Sequence, residues 1–261
     1  MRTNNTHKKF VSKNLNMISI PLSILSALII WQIIIEVSDF PAFILPSPRL
    51  VLERFARAIN DGSLLRNSLV TLQEVLLGLI AGSVLATLLG YLLAKIHLLE
   101  RLLSPYLVAS QAIPTVAIAP LLVIWFGPGL LSKILICGLI VFFPVLVNTI
   151  VGLRAVPENL HDLMRSMQAT QSQTLRYLEI PAALPVFLGG LRIGATLSVI
   201  GAVVGEFVGS DKGLGFLINI GRGQYDTALV FVAVFTLIIM AIGLYGLIIL
   251  IEKRLLAWRG N

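Results

Sequence analysis

Six stretches of about 20 predominantly apolar residues recur along this chain of 261 residues, at 17–37, 69–93, 105–126, 133–152, 187–208 and 228–251. That length is what an α-helix needs to cross the roughly 30 Å hydrocarbon core of a bilayer. In hydrocarbon each backbone N–H and C=O must be bonded within the protein, so runs of this kind are helical. Composition removes the competing reading, a soluble protein with buried helices. Charged residues make up only 13% of the chain and hydrophobic ones 57%, against roughly 25% charged in soluble domains. Too little polar sequence is left to clothe a water-soluble surface. The expected class is an all-α polytopic membrane protein with six transmembrane helices in one membrane domain. Pro114, Pro120 and Pro144 fall in the third and fourth spans, where proline is tolerated as a kink or local opening of the helix.

Residues 1–16 are polar and basic, and the run that follows is too long for a signal peptide; it ends at Glu36, Val37, Ser38 and Asp39. An uncleaved first helix is expected. With the N-terminus inside, twelve Lys and Arg fall on the cytoplasmic side: Arg2, Lys8, Lys9, Lys13, Lys95, Arg101, Arg154, Arg165, Arg176, Lys253, Arg254 and Arg259. Seven fall outside, namely Arg49, Arg54, Arg57, Arg66, Lys133, Lys212 and Arg222, while Arg192 lies within the fifth span. The positive-inside bias places both termini in the cytoplasm. It also accounts for the net charge of +7 without nucleic acid. The chain then divides into a cytoplasmic segment 1–16, a first helix with an outer amphipathic helix over 17–68, a core over 69–252, and a tail over 253–261. The outer helix is read from Leu45-Pro46-Ser47-Pro48: Ser47 suits an N-cap and Pro48 a first helical turn. Leu50, Val51, Phe55, Ala58 and Ile59 then fall on one side, as in a helix lying on a membrane surface. Cys137, the single cysteine, reads as a small packing residue.

The loop 153–186 separates the fourth and fifth spans and is patterned. Asp162-Leu163-Met164 is followed after three residues by Gln168, and after nine more by Leu178-Glu179-Ile180-Pro181. This spacing resembles the "EAA" loop of permease subunits in bacterial ATP-binding-cassette (ABC) importers, the binding-protein-dependent transport inner-membrane component family. Glu-Ala-Ala, three residues, Gly, nine residues and Ile-x-Leu-Pro is that family's pattern. Here Asp162 stands for Glu, Met164 for the second Ala, and Gln168 for Gly. Pro181-Ala182-Ala183-Leu184-Pro185, Gly190-Leu191-Arg192 and Gly201-Ala202-Val203-Val204-Gly205-Glu206-Phe207 resemble the nitrate, sulfonate, taurine and vitamin-precursor branch.

The resemblance implies a type I importer fold in the bacterial inner membrane. It implies a homodimer, two ATPase subunits, surrounding membrane lipid, and a solute-binding protein outside the membrane. ATP and Mg would be bound by the ATPase, with no cofactor and no catalytic residue in this chain. A short helix over 162–169 would dock into the ATPase, with Asp162, Leu163, Met164, Arg165 and Gln168 as its residues. His161 or Asp162 would cap its start, and Pro181 and Pro185 would fix the turn back into the fifth helix.

Polar residues inside apolar spans are the candidates for a transport path. Gln111 and Thr115 are four apart, hence on one helix face, and Asn148 lies in the fourth span. Glu206 is near the outer end of the fifth span and is expected to pair or to stay hydrated there; Arg192, in the same span, reads as a snorkelling or packing residue. The glycine-rich stretch 209–215 lacks the Gly-Lys-Ser/Thr ending of a phosphate loop and reads as a turn touching a partner protein. Ion-coupled transport, the alternative from another class, calls for paired charges at mid-membrane. Of the charged residues, only Glu206 and Arg192 are counted within spans. With no Lys or Arg near mid-membrane, a neutral organic nutrient is favoured over nitrate, taurine or another sulfonate. Arg222-Gly223-Gln224-Tyr225-Asp226-Thr227-Ala228 resembles the vitamin-precursor members.

Overall fold

The computed structural model describes the backbone of residues 4–38 and 40–259 and the side chains of 21–38 and 40–258. Arg2 and the side chains of Lys8, Lys9, Lys13 and Arg259, on which part of the charge count rests, lie outside that description. The described residues form α1 (Asn4–Ser38), α2 (Pro48–Asn60), α3 (Ser63–Lys95), α4 (His97–Gln111), α5 (Thr115–Phe126) and α6 (Leu130–Arg154). Then come α7 (Glu158–Ser166), α8 (Gln171–Thr174), a π-helical turn over Leu175–Glu179, α9 (Ile180–Gly209), α10 (Leu214–Gly223) and α11 (Thr227–Leu255). Five helices are long and apolar enough to cross a membrane, and the bent pair α4–α5 makes a sixth span.

The third span, read over 105–126 with prolines that kink or open it, is broken into two helices. α4 and α5 meet at 95°. Pro114 explains the break: it lacks the N–H that would continue the ladder, and it forces the residue before it out of helical geometry. α1 also departs from expectation, since its helix begins at Asn4 rather than near 17. The polar segment 4–16 continues the helix of the span instead of leading into it.

α3, α6 and α9 form the centre of the bundle, where small residues let the backbones close up. A Cβ added at Gly82 of α3 would lie 2.5 Å from the carbonyl oxygen of Gly138 in α6, and one at Gly201 of α9 2.8 Å from Cα of Cys137. Cys137 is fully buried and its thiol approaches the Ser198 carbonyl at 3.5 Å, so it is the packing residue the sequence suggested. α11 covers this core from one side. Trp31 anchors α1 to it by stacking on Phe231 at 5.2 Å, whereas Leu22, Ile24, Leu25 and Ile30 point outward.

α2 starts as its sequence predicts. Ser47 accepts a hydrogen bond from the Leu50 amide at 3.3 Å, and Pro48 opens the helix. Val51 and Ala58 are buried, while Leu50 and Ile59 stay exposed. Arg54 pairs with Asp226 at 2.7 Å, so α2 is clamped to the start of α11.

Candidate functional site

The patterned loop folds into a short helix, α7, but four residues earlier than expected. Pro157 occupies the position before the first turn and Glu158 lies within that turn. A carboxylate there complements the positive end of the helix dipole. Asp162 therefore sits in mid-helix, where it holds Arg165 at 3.1 Å, and neither it nor His161 is a cap. No residue of α7 is buried. Leu163 and Met167 are exposed apolar side chains, Met167 at 70%. The chain turns just after the helix at Gln168, whose φ is +54°. A left-handed conformation favours glycine, the residue of the related pattern at this position, and Gln168 adopts it with a larger side chain.

Pro181 and Pro185 do not make a turn. From Gln171 to Gly209 the chain is one continuous helical segment, and Pro181 falls in the first turn after the π-helical stretch. A π turn widens the backbone locally, a recognised way to fit a break in the ordinary ladder. Glu179, the last residue of that turn, is only 2% exposed. Its Oε1 meets Nζ of Lys95 at 2.5 Å and Nε2 of His161 at 3.2 Å. Sequence reasoning quoted Glu179 as part of the pattern and gave it no role.

Of the four proposed path residues, the structure brings two together. Gln111 and Thr115 line one cavity of about 290 Å³ with Ser110, Ile113, Ile118 and Phe143. They share it because of the α4–α5 bend, and not because they lie on one helix face. No charged side chain lines this cavity. Asn148 is elsewhere: its amide donates to the Pro144 carbonyl at 2.8 Å, and its side chain packs against Gly190. Arg192 pairs with Glu252 of α11 at 2.9 Å, a tie between helices.

Glu206 is held by partners within the chain rather than exposed to water. It is fully buried and holds the start of α10. Thr71 donates to its Oε1 at 2.6 Å, and the amide of Gly215 donates to Oε2. A carboxylate at a helix N-terminus satisfies an orphan N–H and faces the positive end of the dipole. Gly213, with φ +107°, leaves room for it; a Cβ there would lie 2.0 Å from Oε1. The Gly213 amide is held by Asn67 and that of Leu214 by Thr71, each at 2.8 Å. The stretch 209–215 is thus fastened inside this chain at 213–215, and Asp211 and Lys212 project.

The count of charges within spans also needs correction. Glu74 lies in α3, buried, and pairs at 2.9 Å with Lys133 in the first turn of α6. Lys133 also reaches Ser210 at 2.6 Å. The run 69–93 visibly contains Glu74, so checking each apolar run for single charges finds it. The pairing with Lys133 required the fold. Burying these two charges is made tolerable by their pairing with each other, although Oε2 of Glu74 has no hydrogen-bond partner among the described residues.

Six spans around a core of α3, α6 and α9, with a patterned helix standing off one end, define a permease of the type I importer class. The family model for the binding-protein-dependent transport system inner membrane component matches residues 74–257. A riboflavin transport system permease protein, RibX of Chloroflexus aurantiacus, is 47% identical over 94% of this chain and 91% of its own length. The formylaminopyrimidine transport permease protein ThiX of Halalkalibacterium halodurans is 37% identical over 91% and 94%. Among solved structures, a chain of the inward-facing MetNI methionine ABC transporter shares the fold: TM-score 0.63 at 21% identity, covering 74% of this chain and 96% of that one. The chain belongs to the binding-protein-dependent transport system inner membrane component family. It is a permease subunit of an ABC importer, a multi-pass inner-membrane protein.

Proposed function

We propose that two copies of this chain form the path of an importer for a small neutral organic nutrient, a vitamin or vitamin precursor such as riboflavin or the thiamine pyrimidine. An ATPase dimer drives it from the cytoplasm and a solute-binding protein feeds it from outside. ATP and Mg belong to the ATPase, and this chain supplies docking and motion. α7 carries the reading: it is a helix with no buried residue, presenting Leu163, and Met167 just past its end, to the surroundings. An unburied amphipathic helix of this kind fits a groove on a partner. Asp162, Leu163, Met164 and Arg165 form the docking face, with Gln168 and Pro181 shaping its exit.

Two observations support the substrate class. Relatives 47% and 37% identical carry names that refer to riboflavin and formylaminopyrimidine transport. The cavity at the α4–α5 bend offers an amide, two hydroxyls and an aromatic ring without charge. Such a lining suits hydrogen-bonding heterocycles better than anions. Sulfonate, taurine or nitrate is the alternative, and it would call for a cation in the path.

The test is uptake into proteoliposomes holding the permease, its ATPase and its binding protein. Riboflavin or the pyrimidine should accumulate only with internal ATP, while taurine should not. Accumulation of taurine alone would overturn the substrate class. Uptake driven by a proton or sodium gradient without ATP would overturn the mechanism in favour of ion coupling.

A further inference from the structure

We infer that Glu179, through His161 on one side and Lys95 on the other, is the joint that passes movement of α7 into the membrane helices; this rests on α7 being the docking helix. Among the described residues, the His161–Glu179 contact is the one side-chain hydrogen bond or ion pair that joins α7 to the rest of the chain. The other polar side-chain contacts of α7 stay within it: Arg165 with Asp162 at 3.1 Å and with Glu158 at 3.7 Å, and Ser166 with the Asp162 carbonyl at 2.9 Å. Apart from the covalent chain, force on α7 has this polar route into the bundle.

The route divides at one atom. Oε1 of Glu179 takes His161 from α7 and Lys95 from the last turn of α3, while Glu179 itself ends the π turn that leads into α9. α3 and α9 are two of the three helices at the centre of the bundle. The neighbouring ends are tied separately, since Arg154 of α6 grips Glu100 of α4 with two hydrogen bonds, at 2.7 and 2.5 Å. Pulling His161 therefore acts on α3 and α9 first.

The joint also has room and capacity to rearrange. It borders a cavity of about 310 Å³ lined by Lys95, His97, Arg154, Glu158, His161 and Glu179, among others. Oε2 of Glu179 and Nδ1 of His161 are buried with no hydrogen-bond partner. A buried polar atom without a partner is costly, so a movement that brings either atom a partner would be favoured. A packed element with discrete arrangements is what transmits a signal between sites.

The experiment compares wild type, His161→Leu, His161→Gln and Glu179→Gln, each co-expressed with the ATPase subunit. Two quantities are read separately: co-purification of the ATPase, and stimulation of ATP hydrolysis by the loaded binding protein. His161→Leu should keep the complex and lose stimulation by about 5-fold or more, the low end of typical coupling between sites. His161→Gln, which keeps a donor near the same place, should recover most of it. Glu179→Gln should behave as His161→Leu does. An intact complex of His161→Leu with wild-type stimulation overturns the joint and leaves docking through α7 standing. Failure of the wild-type chain to retain the ATPase overturns the docking reading, and the joint with it.

Discussion

Gln168 adopts a left-handed backbone, φ +54°, at the position where the related pattern has glycine. A side chain in that region costs about 1–2 kcal/mol, which glycine avoids. Gln168→Gly should therefore stabilise the chain by about 1 kcal/mol and raise its thermal midpoint by about 2–4 °C in detergent. An unchanged or lowered midpoint would show that the glutamine side chain makes up the difference through contacts of its own. The position was legible in the sequence because spacing survives when identity does not: three residues after Met164, the chain must reverse. Glu206 was only half legible. Its cost in an apolar run was plain, but the partners that meet it come from Thr71, 135 positions away, and from the amide of Gly215. No local pattern announces contacts of that range.

At the scale of elements, α7 is a short amphipathic helix that exposes Leu163, with Met167 exposed just after its end. Asp162 and Arg165 flank them, paired with each other at 3.1 Å and free to exchange that pairing for a partner's. Replacing both with alanine should weaken retention of the ATPase by about tenfold, roughly 1.4 kcal/mol, with the permease still eluting as a folded, monodisperse species. Undiminished retention would place docking elsewhere. The spans were legible because length and apolarity are set by the bilayer itself. Their interruptions were less so. Pro114 breaks its span while Pro144 and Pro185 remain inside α6 and α9, and the residue type is the same in all three. Pro105 and Pro120 likewise stay inside α4 and α5, so a proline by itself does not mark where a span breaks.

For the whole molecule, the 12-to-7 distribution of basic residues predicts that both termini are cytoplasmic. Asn5→Cys in a Cys137→Ser background should resist a membrane-impermeant thiol reagent in intact cells and react once the cells are permeabilised. Ready labelling of intact cells would overturn the six-span topology. The continuous helix of 39 residues from Gln171 to Gly209 has a mechanical meaning in that arrangement. At about 1.5 Å per residue it is a rod of roughly 58 Å, nearly twice the hydrocarbon thickness of about 30 Å. One end is pinned where Glu206 is locked to α3 and α10. Glu179 lies 27 residues away along the same rod, or roughly 40 Å. With the pin as fulcrum, a tilt of about 5° swings the Glu179 end through about 3.5 Å at that helical rise. The helix is in that sense a lever, which trades a long stroke at the Glu179 end for a small, forceful rotation at the Glu206 end.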